Sequence, residues 1–184
     1  MYDRQALIDL AKERALELGE FTLASGKTSH YYLDCRRLTL DGQGVSLIAN
    51  GILEMLGDSL PDAIGGMAIG ADPITAAVIT VAASQGRNLK GFIVRKEVKS
   101  HGKGRMVEGP VKPGDRVMIV EDVVTTGGSS LQAIEHVERF GMQVEGVIAI
   151  IDRLEGGSNA FSEQGYPLRS LLTIRDLGVD PAGV

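Results

Sequence analysis

The sequence predicts an α/β domain: a central, mainly parallel sheet flanked by helices. Three observations lead there. Val117–Val120 is an uninterrupted apolar run rich in β-branched residues, the pattern of a strand covered on both faces. Ala63–Ile69 is a second apolar run, broken by glycines. Each run leads through a short loop of small residues into helical spacing, over 131–140 and 74–84, and such strand–loop–helix units build parallel sheets.

The bulk composition agrees. The 184 residues suit one domain, 1–184, and leave no room for a second ordinary catalytic domain. Hydrophobic residues make up 43% and charged residues 23%, as in globular proteins. The net charge of −5 argues against a nucleic-acid partner bound through a general basic surface. Cys35 stands alone, so no intrachain disulfide is possible; it reads as a small core residue in a reducing compartment. No apolar run approaches the roughly 18 residues of a membrane span, so a cytoplasmic protein with no membrane partner is expected.

In chain order, Leu7, Leu10, Ala11, Ala15 and Leu18 predict a helix over 3–18, with Gly19 as its stop. Phe21–Arg36 reads as two extended segments joined by 25–28, a hairpin. Its Gly26-Lys27-Thr28 ends like a phosphate loop, but Phe21 stands where that motif needs glycine and no helix pattern follows. Val45, Ile48, Ala49, Ile52, Leu53 and Leu56 predict a helix over 43–57. The loop Gly70-Ala71-Asp72-Pro73 then opens the 74–84 helix, with Asp72 as candidate cap and Pro73 in the first turn. After a strand at 91–94, residues 95–110 are basic and glycine-punctuated, with no apolar face of their own. A connection of about fifteen such residues is expected to be a lid or a solvated charge run. Residues 111–115 turn the chain into the 117–120 strand. Later come a strand over 144–151, a loop with a short helix over 156–164, a strand over 168–172 and a short polar tail from Ile174. His30 and His136 have no partners at ligand spacing and read as ordinary residues, so no protein-held metal is expected.

The chemistry concentrates at Glu121-Asp122-Val123-Val124-Thr125-Thr126-Gly127-Gly128-Ser129. Two carboxylates at a strand's end can accept from sugar hydroxyls, and the free amides of the following helix favour a phosphate. A plain strand-to-helix turn capped by Thr or Ser is the alternative. The 70–72 junction could meet a second phosphate in the same way.

This acidic-pair loop resembles the donor-binding motif of type I phosphoribosyltransferases. The resemblance implies their fold, with a small hood formed by about 20–40 and the C-terminal segment. The Phe21 hairpin and the run Arg95-Lys96-x-x-Lys99-x-His101-Gly102 are similar to the orotate branch of that family. By that resemblance the activity is transfer of the 5-phosphoribosyl group from 5-phosphoribosyl 1-diphosphate (PRPP) to N1 of orotate. PRPP would meet Arg95, Lys96, Lys99, His101, Glu121, Asp122 and residues 123–129, with pyrophosphate at Gly70, Ala71 and Asp72. Lys27, Thr125 and Arg153 would bind orotate, and Lys99, His101 and Asp122 would be catalytic. The resemblance also implies Mg2+ held mainly by PRPP, and a homodimer whose mobile loop, about 96–110, crosses to the neighbour. A transferase for another base, or a PRPP-sensing regulator, shares the acidic-pair loop and is the rival expectation.

Overall fold

A computed structural model describes residues 2–22, 28–97 and 105–181. Its centre is a six-stranded sheet in the order β5-β4-β3-β6-β7-β8. These strands are β3 (Ala63–Met67), β4 (Lys90–Val94), β5 (Val107–Glu108), β6 (Arg116–Val124), β7 (Gln143–Asp152) and β8 (Leu168–Thr173). All neighbours run parallel except β4 and β5, so the sheet is mainly parallel as expected. A separate two-stranded sheet pairs β1 (Leu16–Thr22) with β2 (Thr28–Leu33).

The period-two geometry of a strand splits β6 between two cores. Met118 and Val120 face a cluster with α1 (Arg4–Arg14), α3 (Gly42–Leu56) and α4 (Ala71–Ser84). Val117 and Ile119 face the opposite cluster, with α5 (Gly128–Phe140) and α6 (Gly157–Glu163). Helices cover both faces, which is why β6 and β7 read as continuous apolar runs. No helix among the described residues is long and apolar enough to cross a membrane.

Several elements differ from the sequence expectations. The first helix stops at Arg14, where the Ala15 amide still bonds the Ala11 carbonyl, and the chain turns into β1. Leu16, Glu17 and Leu18 pair with Leu33, Tyr32 and Tyr31, so Leu18 is 74% exposed and Gly19 lies inside a strand. Cross-strand pairing has overridden a locally helical pattern. A one-turn helix, α2 (Arg36–Thr39), follows the hairpin, with the Asp34 carboxylate accepting from the Arg36 amide.

The β6 strand runs through the acidic pair to Val124, because its pairing with β7 continues at Glu121–Ala149 and Val123–Ile151. Within the basic 95–110 stretch, Val107 is buried and pairs with Val94, so the far end of that stretch belongs to the sheet. Nor is the C-terminal segment a plain polar tail. Ile174–Leu177 forms a 3-10 turn with Ile174 and Leu177 buried, Thr173 and Asp176 making a capping box. Arg4 of α1 binds Asp176 at 2.8 Å and ties the two ends of the chain together.

Candidate active site

At the carboxyl ends of β3, β6 and β7, where open α/β sheets bind ligands, lies a cavity of about 710 Å3. The hairpin and α2 form one wall through Tyr32–Arg36. The β3–α4 loop contributes Ile69 and Gly70. Glu121–Val123, Thr125, Ser129, Arg153 and Lys96 also line it.

The acidic pair is set in the wall by β6. Glu121 is only 7% exposed, and its Oε2 accepts from the Ser130 hydroxyl at 2.8 Å. Burial, with Asp122 beside it, pushes the Glu121 carboxyl from 4.5 up to about 7. Asp122 accepts from the Val123 amide at 2.8 Å. The β3–α4 loop comes so close that a Cβ on Gly70 would sit 3.1 Å from Asp122 Oδ1 and 3.3 Å from Glu121 Oε1. Glycine is what lets this backbone approach the pair.

The loop after the pair is shaped for an anion. Gly127, at φ 82°, turns the chain into α5 in a left-handed conformation and supplies no side-chain cap. The turn is therefore not capped by Thr or Ser, and among the described residues no side chain caps the first amides of α5, the arrangement that receives phosphate. The loop is held from behind: Gly157 donates its amide to the Thr125 carbonyl at 2.9 Å, and the buried ring of Phe161 packs where a Gly127 side chain would go.

Across the cavity, Arg153 follows β7 with its amide on the Val124 carbonyl at 2.9 Å. Its side chain is 13% exposed rather than free on the surface. Nε donates to the Tyr31 hydroxyl at 2.8 Å, and the guanidinium lies 4.7 Å over the Tyr31 ring. Nη2 stands 2.7 Å from Glu155 Oε1, an ion pair without hydrogen-bond alignment. Burial raises the Tyr31 hydroxyl above its usual range, although Arg153 pulls it down.

A family model described as a phosphoribosyl transferase domain matches residues 48–162. An orotate phosphoribosyltransferase of Rhodopirellula baltica is 54% identical over 185 residues, spanning 97% of this chain and 96% of that protein. The chain belongs to the orotate phosphoribosyltransferase family. A second orotate phosphoribosyltransferase, from Aquifex aeolicus, is 42% identical over 96% of this chain and 98% of its own length. Among solved structures, Mycobacterium tuberculosis orotate phosphoribosyltransferase in complex with PRPP superposes with a TM-score of 0.81 at 35% identity, covering 96% of this chain and 99% of that one.

Against the motif of this phosphoribosyltransferase family, the expected residues divide into three groups. Gly70, Lys96, Glu121, Asp122, Val123, Thr125, Ser129 and Arg153 come together on the cavity wall. Ala71 and Val124 are buried in the core, and Thr126 and Gly128 are exposed beside the loop. Arg95 directly follows β4 with its Nε 2.6 Å from Glu108, while Lys27, Lys99 and His101 lie outside the described residues. Asp72 does not cap α4: the chain is already helical at Gly70, so Asp72 sits inside the first turn. Burial pushes its carboxyl up, and Oδ1 has no hydrogen-bond partner among the described residues.

Sequence reasoning offers Glu155 or Asp152 as an ion-pair partner of Arg153, and the structure pairs it with Glu155; it missed Tyr31 as the second partner, and Asp34, Arg36, Thr39 and Leu40 as cavity residues. The Tyr31-Tyr32-Leu33-Asp34 run carried a signal, since alternate residues of a strand face opposite sides. Cys35 is buried in the core with its thiol pushed well up by burial, although it also reaches the cavity wall.

Proposed function

We propose that this chain transfers the 5-phosphoribosyl group from PRPP to N1 of orotate, releasing pyrophosphate and orotidine 5′-monophosphate, in the cytoplasm. One observation carries the reading: an acidic pair, an uncapped helix start and a half-buried arginine line a single cavity. Asp122 and Glu121 accept from the ribose hydroxyls, and Thr125–Ser129 hold the 5-phosphate with amides and hydroxyls. Gly70, Ala71 and Asp72 receive the pyrophosphate, close to the first amides of α4. Thr125, Lys27 and Arg153 hold the base, the guanidinium fork matching the orotate carboxylate.

As N1 bonds to the anomeric carbon and the carbon–pyrophosphate bond breaks, negative charge grows on the leaving group. Lys96, Lys99 and His101 stabilise that charge, Arg95 binds PRPP beside them, and closure of the basic stretch excludes water. No group of three or more His, Cys, Asp or Glu suited to a metal is found among the described residues. Mg2+ would be held mainly by PRPP oxygens, with Glu121 and Asp122 on the same cavity wall, and would neutralise charge on the pyrophosphate.

The basic stretch acts across a homodimer. Mixing inactive Lys99→Ala with inactive Asp122→Ala is expected to restore part of the activity; absence of rescue contradicts shared sites. A panel of orotate, uracil and hypoxanthine with PRPP and Mg2+ tests the acceptor. Pyrophosphate release with orotate alone is expected, and release with hypoxanthine or uracil but not orotate overturns the assignment.

A further inference from the structure

Base recognition depends on how one guanidinium is aimed. Residues 31 and 155 reach the Arg153 side chain from opposite parts of the chain, and neither is part of the cavity wall. Tyr31 is 2% exposed, on β2 of the hairpin. Its hydroxyl accepts from Arg153 Nε at 2.8 Å and donates to Glu155 Oε1 at 3.2 Å, while the same carboxylate oxygen sits 2.7 Å from Nη2. The three groups close a ring in which each fixes the others. A guanidinium carries one N–H on Nε and two on each Nη. With Nε and Nη2 engaged from behind, Nη1 has no hydrogen bond or ion pair among the described residues.

We infer that Tyr31 and Glu155 are positioning residues for the acceptor: they lock Arg153 so that Nη1 presents its two N–H groups to the carboxylate of the base. The inference rests on the proposed function, in which Arg153 meets that carboxylate. It also gives the hairpin a part in specificity, because Tyr31 joins β2 to the end of β7.

Steady-state kinetics on the full chain test it. Tyr31→Phe keeps the ring under the guanidinium and removes only the hydroxyl, which accepts from Arg153 and donates to Glu155. Losing the hydrogen bond to the guanidinium should raise KM for orotate about tenfold, with kcat within about twofold and KM for PRPP unchanged. Glu155→Gln should move KM for orotate in the same direction. In an Arg153→Ala background, Tyr31→Phe should add less than about twofold, since it acts only through the arginine. An unchanged KM for orotate in both single variants, an equal rise in KM for PRPP, or a full additional loss in the Arg153→Ala background overturns the inference. Wild-type protein run alongside separates the two levels: failure to use orotate at all removes the proposed function, and this inference with it.

Discussion

Replacing Gly127 by alanine probes the donor loop through its least tolerant point. The residue sits at φ 82°, where a side chain costs about 1–2 kcal/mol. Its new Cβ would lie 2.9 Å from Phe161 Cζ, and that ring is fully buried, so it has no free space to swing into. Overpacking of this kind costs about 1–3 kcal/mol. The sum is a loss of roughly 2–5 kcal/mol of stability, concentrated where the 5-phosphate binds. Gly128→Ala is the matched control: its Cβ would meet nothing within 4 Å, and alanine in a helix gains about 0.5–1 kcal/mol over glycine. Urea denaturation of both variants, with KM for PRPP, checks the account. A Gly127→Ala protein within about 0.5 kcal/mol of wild type would refute the packing argument.

Glu121→Gln is expected to stabilise the protein at pH 8 while weakening PRPP binding. The folded state holds the Glu121 proton more tightly than the unfolded state, so stability falls as pH rises from 4.5 through about 7. By linkage the charged carboxylate costs roughly 3 kcal/mol above that window, and glutamine avoids the cost while still accepting from Ser130. Denaturation at pH 4.5 and pH 8 should show the variant's advantage only at the higher pH, and a pH-independent difference would count against it. Ile174→Ala should cost about 2–5 kcal/mol in the same assay, because Ile174 is fully buried under the C-terminal turn; a change below about 0.5 kcal/mol would return that segment to the status of a tail.

Much of this architecture was legible in the chain because the strands buried on both faces leave continuous apolar runs, as at Val117–Val120 and Val147–Ile151. The acidic pair and the small loop after it were legible for a related reason: few backbones other than a strand-to-helix junction need that order of residues. What escaped depends on partners distant in sequence. Leu16–Leu18 continue a helical pattern until pairing with Tyr31–Leu33 draws them into a strand. Val107 has no periodic company and is buried only because β4 lies beside it. Ile174 and Leu177 look like isolated apolar residues until the capping box and Arg4 fix the turn that buries them. In the clamp on Arg153, Glu155 is a near neighbour in sequence, but Tyr31 is not, and no local spacing announces it.

The central claim is that the acidic pair and Arg153 serve two ends of one reaction, on PRPP and on orotate. The most direct measurement follows orotate absorbance on mixing the protein with PRPP and Mg2+, beside Asp122→Asn and Arg153→Ala. The account predicts rapid loss of absorbance with wild type that needs both additions. It predicts a higher KM for PRPP with the first variant and a higher KM for orotate with the second. Stable orotate absorbance with wild-type protein, or variants that leave both constants unchanged, would contradict it.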